Sequence, residues 1–359
     1  MITIELINQA LSSVKDSGSG KSLLELGWLG KIQLNPPKVI VRLNLPNFAQ
    51  NQRDRLANEI RILLEKFDDI NQVQIELGNV SENKAIGQAG HGELKPLQEI
   101  EGVKNIIAVS SGKGGVGKST VAVNLACTLA QKGFKVGLLD ADIYGPNTPI
   151  MLGVTDKLPE VSGSGSDQKI RPIESYRVAL VSMGFLIDQD QPVIWRGPML
   201  NGIIRQFLYQ TVWGERDFLI VDMPPGTGDA QLSLAQAVPM KGALIVTTPQ
   251  KVSLQDSRRG LAMFKQMDIP ILGVIENMSS FIPPDMPNRK YKLFGEGGGQ
   301  QLANEYSVPL LAELPMELNV VEGANEGRPV VDQYPEGLTA QAFNHLVDLI
   351  LGNKSITTN

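Results

Sequence analysis

Residues 103–131 read VKNIIAVSSGKGGVGKSTVAVNLACTLAQ, and this stretch decides the fold. Ile106–Val109 is an uninterrupted apolar run of strand length, a glycine-rich turn follows it, and Thr120–Ala130 then continues as a helix. Gly112–Ser119 fits the pattern glycine, four residues, glycine, lysine, hydroxyl residue, in the strand–loop–helix setting that gives the pattern its meaning. Glycines there let backbone N–H groups turn inward around phosphate oxygens, and the start of the helix adds partial positive charge. The reading is a triphosphate cradle formed by Gly112, Lys113, Gly114, Gly115, Val116, Gly117, Lys118, Ser119 and Thr120. Lys118 is expected on the β and γ phosphates of ATP, and the Ser119 hydroxyl on Mg²⁺. Lys113 adds a second ammonium on a flexible stem, able to reach phosphate or to swing into solvent.

Working outward, short apolar runs recur at Val136–Leu139, Val178–Val181, Phe218–Val221, Ala243–Val246, Ile271–Ile275 and Leu310–Leu314, with helical patterns between them. This alternation predicts an α/β P-loop NTPase fold, a mainly parallel sheet covered by helices on both faces, with ligands at the carboxyl ends of the strands. Two of those ends are acidic. Val136–Leu139 runs into Asp140-Ala141-Asp142, and Phe218–Val221 into Asp222-Met223-Pro224-Pro225-Gly226-Thr227-Gly228-Asp229. Asp222 fits a second group holding Mg²⁺ beside Ser119, Asp140 and Asp142 fit groups that orient water, and Gly226 can offer a backbone N–H to the γ-phosphate. Strand-end turns also favour Asp, and a loop with paired prolines and glycines can be purely structural.

Ahead of this region the pattern differs. Ile2–Val14 has helical spacing, Ser17–Ser22 breaks it, and Val39, Val41, Leu43 and Leu45 alternate as a half-buried strand requires. Pro36-Pro37 turns the chain before that strand, Gln50–Phe67 reads as helix, and Val73, Ile75 and Leu77 alternate again. The order α-β-β-α-β suits a small α+β domain over residues 1–78, a polar linker over 79–102, and the ATPase domain over 103–359.

With 42% hydrophobic and 20% charged residues, the chain can bury a substantial core. The net charge of −5, with Lys and Arg scattered, gives no long-range attraction to nucleic acid or to an anionic membrane. No apolar run approaches the ~20 residues a bilayer span needs, and the first residues lack a basic-then-apolar leader, so a cytoplasmic location is expected. The amphipathic stretch Leu338–Leu351 carries almost no Lys or Arg and is expected to pack on the sheet.

Taken together, GKGGVGKST, LDADIYGPNTP, VDMPPGTGD, IENMS and LFGEGGG resemble the Mrp (ApbC) family of deviant-Walker ATPases, known as iron–sulfur cluster carriers. The N-terminal unit is similar to the small iron–sulfur assembly-type domain that often precedes this ATPase. The resemblance implies a homodimer that binds ATP, serves apoprotein clients, and reaches with Lys113 across the dimer to the partner's nucleotide. It also implies a nucleotide-binding asparagine, matched by Asn277, which unaided reads equally as a strand-end turn residue. Trp195-Arg196-Gly197-Pro198 resembles a further family signature, and can equally cap the helix that follows.

One departure is plain. Cluster-binding members carry a Cys-x-x-Cys pair after the segment matching IENMS, where this chain reads Phe281-Ile282-Pro283-Pro284-Asp285-Met286. Proline offers no side-chain ligand, and a thioether is a poor substitute for thiolate in an iron–sulfur cluster. The single cysteine, Cys127, sits among Ala, Leu and Val and reads as core, so no iron–sulfur cysteine ligand is identifiable. His91 and His345 form no metal-ligand spacing, and Pro283–Lys292 reads as a surface loop. Rival readings are a positioning ATPase acting on membrane or DNA, and a cluster-free assembly factor that uses nucleotide only as a conformational ligand.

Overall fold

The computed structural model describes residues 4–14, 22–23, 26, 28–45, 50–67, 69–79, 98–143, 145–163, 168–185, 197–286 and 288–353. The chain forms two compact units, Met1–Leu94 and Lys95–Asn359. Their division lies within the stretch expected as linker, of which residues 80–97, His91 among them, are outside the described residues.

In the first unit, helix α1 (Ile4–Leu11) precedes strands β1 (Leu29–Asn35) and β2 (Lys38–Leu45), helix α2 (Gln50–Leu64) and strand β3 (Gln72–Asn79). β2 is central, antiparallel to β1 and parallel to β3. Because strand side chains alternate, Val39, Val41 and Leu43 share one face, and all three are fully buried. Leu56, Ile60 and Leu64, four residues apart on α2, join Ile7 and Leu11 of α1 in the same core.

The second unit is built on strands β4 (Val103–Ser111), β5 (Val136–Asp140), β6 (Glu160–Ser162), β7 (Lys169–Arg171), β8 (Ile173–Ser175), β9 (Val178–Ser182), β10 (Arg216–Asp222), β11 (Gly242–Thr247), β12 (Ile271–Glu276) and β13 (Leu310–Glu313). The helices are α3 (Lys118–Gln131), α4 (Thr148–Met151), α5 (Gly197–Tyr209), α6 (Asp229–Ala235), α7 (Lys251–Gln266), α8 (Gly298–Tyr306), α9 (Leu318–Asn325), α10 (Val330–Gln333) and α11 (Leu338–Gly352). The main sheet runs β13-β12-β11-β4-β10-β5-β9-β8. Every neighbouring pair is parallel except the β8–β9 edge. Each apolar run read from the sequence is a strand of this sheet, whereas β8 and the separate β6–β7 hairpin were not anticipated.

β4 shows why helices cover both faces. Ile107 and Val109 point into one layer with Leu125 and Leu129 of α3 and Phe343 and Leu346 of α11. Ile106 and Ala108 point into the other, with Phe207 of α5, Phe264 of α7 and Leu302 of α8. Burying each such large side chain stabilises the fold by roughly 1.5–3 kcal/mol. The amphipathic face of α11 is used up here, since Ala340, Phe343, Leu346, Val347 and Ile350 are all buried. Among the described residues no helix is long and apolar enough to cross a membrane.

Candidate functional site

Parallel strands put their carboxyl ends on one edge, and the central position of β4 sets the loop after it between the ends of β10 and β11. Asp222, which ends β10, is paired with Val109 of β4 on one side and with Asp140 of β5 on the other. Both acidic strand ends read from the sequence therefore stand beside the glycine loop. Gly115 and Gly117 adopt left-handed φ of 79° and 82°, which glycine tolerates without strain. Gly112 is glycine for another reason: a Cβ there would lie 2.1 Å from the backbone carbon of Asp256, so α7 presses directly on the loop.

The loop encloses a cavity of about 170 Å³ whose lining includes Lys113, Gly114, Gly115, Gly117, Lys118, Ser119, Thr120 and Asp142, with Asn147, Met151 and Pro225 completing the wall. Lys118, only 6% exposed, donates to Asp222 Oδ1 at 2.6 Å and stands 3.4 Å from Asp142 Oδ2. Its Nζ is also 3.4 Å from Ser119 Oγ. Burial disfavours the charged lysine, but Asp222 and Asp142 outweigh it and raise the pKa above the ordinary value. Burial also raises the Asp222 carboxyl, against the pull of Lys118 and the Ser119 hydroxyl. Asp222 Oδ2 and Asp142 Oδ1 are buried without a hydrogen-bond partner among the described residues. Such orphaned carboxylate oxygens beside a serine hydroxyl are hard donors of the kind Mg²⁺ takes, so the residues present fit that ion. Lys113 reaches the cavity wall, and its ammonium makes no hydrogen bond or ion pair among the described residues.

Asp140 is arranged differently. It is fully buried, and its Oδ2 accepts from Thr148 Oγ1 at 2.8 Å, Ser182 Oγ at 2.9 Å and Thr148 N at 3.3 Å. Its Oδ1 accepts from Asp142 N at 3.1 Å. Burial and the neighbouring Asp222 push its pKa up to about 7, against the two hydroxyl donors. Neither Asp140 nor Asp222 lines the cavity itself; Asp222 meets it through Lys118, whereas Asp140 braces the turn that carries Asp142 into it. Gly226 N–H donates to Ser111 O at 3.0 Å, so this donor is already engaged, facing β4.

Asn277 follows β12, and its Nδ2 donates to Val116 O at 2.8 Å. A second cavity of about 280 Å³ shares Gly117 and Thr120 with the first and continues along Asn277, Met278, Phe281, Pro315, Leu318 and Val321. Its mainly apolar lining next to the phosphate loop suits a purine ring.

The thiol needed for cluster ligation is not at this edge. Cys127 is 1% exposed in the core on α3, where burial pushes its pKa up and keeps it a neutral thiol. Pro283 and Met286 lie in the loop between the bridged residues Phe281 and Tyr291, with Met286 exposed. Among the described residues no three His, Cys, Asp or Glu side chains gather as a metal cage. His345 is exposed on α11, and Trp195 and Arg196 fall outside the described residues.

Three site residues escaped the sequence reading. Thr148 and Ser182 saturate Asp140, and buried Gln231 donates to Ser110 Oγ at 2.9 Å and Pro224 O at 2.7 Å, tying the Asp222 loop to β4. Thr148 lies within LDADIYGPNTP and was within reach of a reader; Ser182 and Gln231 carry no local signal.

Comparison with known proteins agrees with the P-loop fold. Residues 102–351 match the family described as NUBPL iron-transfer P-loop NTPase, and residues 4–77 match iron–sulfur cluster assembly protein. An iron–sulfur cluster carrier protein of Synechocystis is 49% identical over 99% of this chain and 99% of its own length. A nucleotide-binding protein of Archaeoglobus fulgidus, solved in complex with ADP, is 37% identical with a TM-score of 0.56, covering 65% of this chain and 89% of that one. A septum site-determining protein of Pyrococcus horikoshii, complexed with Mg-ADP, is 26% identical with a TM-score of 0.51, covering 71% and 99%.

Proposed function

Because this chain belongs to the NUBPL iron-transfer P-loop NTPase family, we propose that it hydrolyses ATP with Mg²⁺ and uses the cycle, as a homodimer, to pass iron–sulfur clusters to apoprotein clients. The observation that carries the chemistry is the convergence of Lys118, Ser119 and Asp142 on one loop-walled cavity, with Asp222 buried directly behind them on the Lys118 ammonium. Phosphoryl transfer asks mainly for positioning and charge stabilisation, and these side chains supply both.

In this reading Lys118 leaves its carboxylate partners for the phosphates, and backbone N–H groups of Gly114 to Ser119 hold the phosphate oxygens. Ser119 and Asp222 hold Mg²⁺, which when bound neutralises the charge developing on the phosphates. Asp142 orients water, and Asp140 keeps Asp142 in place through its amide. Gly226 turns from the Ser111 carbonyl to the γ-phosphate, so loss of that phosphate returns the loop to its present bond. Asn277 fixes the base cavity to the loop through Val116, and Lys113 is free to reach a partner subunit's nucleotide.

The cluster is cargo, and this chain has one cysteine to offer it. Two copies bring only two Cys127 thiols, both in core, short of the four thiolates a cluster usually takes. We therefore assign the thiolates to the client or donor, and to this protein the nucleotide-driven handover. The test combines phosphate release with transfer of a cluster from a donor scaffold to an apoprotein, under ATP and under a non-hydrolysable analogue. Faster transfer with ATP alone is expected; no phosphate release, or transfer indifferent to nucleotide, would refute the proposal. Anaerobic reconstitution should leave the isolated chain without stoichiometric iron and sulfide.

A further inference from the structure

Lys118 lines the phosphate-loop cavity, yet its ammonium is already engaged by carboxylates. Its ammonium lies 2.6 Å from Asp222 Oδ1, 3.4 Å from Asp142 Oδ2 and 3.4 Å from Ser119 Oγ, in contact with the same oxygens that suit a divalent cation. The environment is closed, with Lys118 6% exposed and Asp222 not at all. One ammonium serves two carboxylates, and the oxygens it does not reach, Asp222 Oδ2 and Asp142 Oδ1, remain without partners among the described residues. The cluster is therefore built for more positive charge than it holds. A lysine ammonium and a divalent ion cannot share the place, since two like charges a few ångströms apart in a buried setting repel by several kcal/mol.

We propose that Lys118 occupies the Mg²⁺ position of the nucleotide-free protein and bars the metal until phosphates draw the lysine away, so that nucleotide decides when metal binds. The inference rests on the reading that Ser119 and Asp222 hold Mg²⁺. Lys118 is thus a gate on metal binding as well as a ligand of phosphate. Free Mg²⁺, abundant in any cell, is kept from fastening the Asp142 and Asp222 loops in the absence of nucleotide. The exchange also keeps the carboxylate pair in contact with one cation or the other throughout, so neither acid is left buried without a counter-charge.

The experiment is Mn²⁺ titration of the full chain followed by electron paramagnetic resonance, with a parallel titration of ADP without protein to correct for the metal nucleotide complex. The wild type alone should leave Mn²⁺ free, and with ADP should take up one ion per chain. Lys118→Met, which keeps the side-chain length and removes the charge, should bind Mn²⁺ without nucleotide at least about tenfold more tightly than the wild type alone. That uptake should vanish when Asp222→Asn is added. Nucleotide-free wild type binding Mn²⁺ as tightly as Lys118→Met would overturn the gate while leaving the metal site intact. Failure of the wild type to take up Mn²⁺ even with ADP would overturn the metal site itself, and the gate with it. Should Lys118→Met fold poorly, melting of the wild type decides: Mg²⁺ alone should leave its midpoint unmoved, whereas Mg²⁺ with ADP raises it beyond ADP alone, and a shift by Mg²⁺ alone refutes the proposal.

Discussion

Asp222 and Asp140 are register partners at the ends of adjacent parallel strands, yet they serve opposite surroundings. Asp222 gives an oxygen to the ammonium of Lys118 behind the cavity wall, while Asp140 spends both of its oxygens on Thr148, Ser182 and the Asp142 amide. Adjacent strands thus hold one carboxylate that pairs with the phosphate-loop lysine and one that braces a turn.

Lys118→Ala separates these duties. Turnover should fall at least about a thousandfold, since a principal charge stabiliser is lost. Stability of the nucleotide-free chain should fall as well, by about 3–5 kcal/mol, because Asp222 is left buried without its cation. Phosphate release and urea unfolding measure the two effects; turnover close to wild type would contradict the assignment.

Gly112→Ala tests the contact between α7 and the phosphate loop. The new methyl would meet Asp256 carbon at 2.1 Å and Ser257 nitrogen at 2.3 Å, both backbone atoms that cannot rotate away. A loss of about 1–3 kcal/mol in stability is expected, with ADP affinity lowered more than about tenfold as the loop shifts. Calorimetry with unchanged ADP affinity would show the close approach to be unimportant.

The pKa of Asp140, pushed up to about 7, gives the nucleotide-free protein a pH signature. Between roughly pH 4 and pH 7 the folded chain holds this proton and the unfolded chain does not. The contribution is therefore complete below about pH 4 and drains away as the pH rises through 7, a decline of a few kcal/mol at most. Asp140→Asn should be less stable in absolute terms, because in either orientation its amide N–H₂ would face a backbone N–H, of Asp142 or of Thr148, and should show a shallower slope, with Asp222, also raised by burial, keeping its own share. Melting curves in chelator from about pH 5 to pH 8 make the comparison, and parallel slopes in the two proteins would count against it.

Cys127 should resist alkylation in the native state and react only on unfolding, since it is buried and held neutral. Cys127→Ala should keep ATP turnover and cluster transfer within about twofold, at a stability cost of about 1 kcal/mol. Transfer that depends on this thiol would give the chain a ligand role the fold does not suggest.

The parallel strands of the main sheet were legible because strands buried on both faces are written as continuous apolar runs, as in Ile106–Val109 and Ala243–Val246. The glycine loop was legible for a similar reason: phosphate binding by backbone constrains residue type at fixed spacing. Strands β6, β7 and β8 were not, because Glu160–Ser162, Lys169–Arg171 and Ile173–Ser175 are too short and too mixed in polarity to carry a period. The bracing of Asp140 was hidden by distance along the chain, as Ser182 reaches it from β9. Composition could place an aspartate at a strand end, but could not say which of two such aspartates would turn inward. The bonds of Gly226 to Ser111 and of Lys118 to Asp222 join residues more than a hundred positions apart, which no local residue pattern specifies.

The burial of the lone cysteine has a practical side. With its only sulfhydryl sealed inside the core, the polypeptide has nothing on its surface to form mixed disulfides or to be capped by glutathione. Loss of transfer activity on exposure to air then reports damage to the cluster or to the client's own sulfur ligands, which makes this protein a clean background for measuring how oxygen-sensitive the handover is.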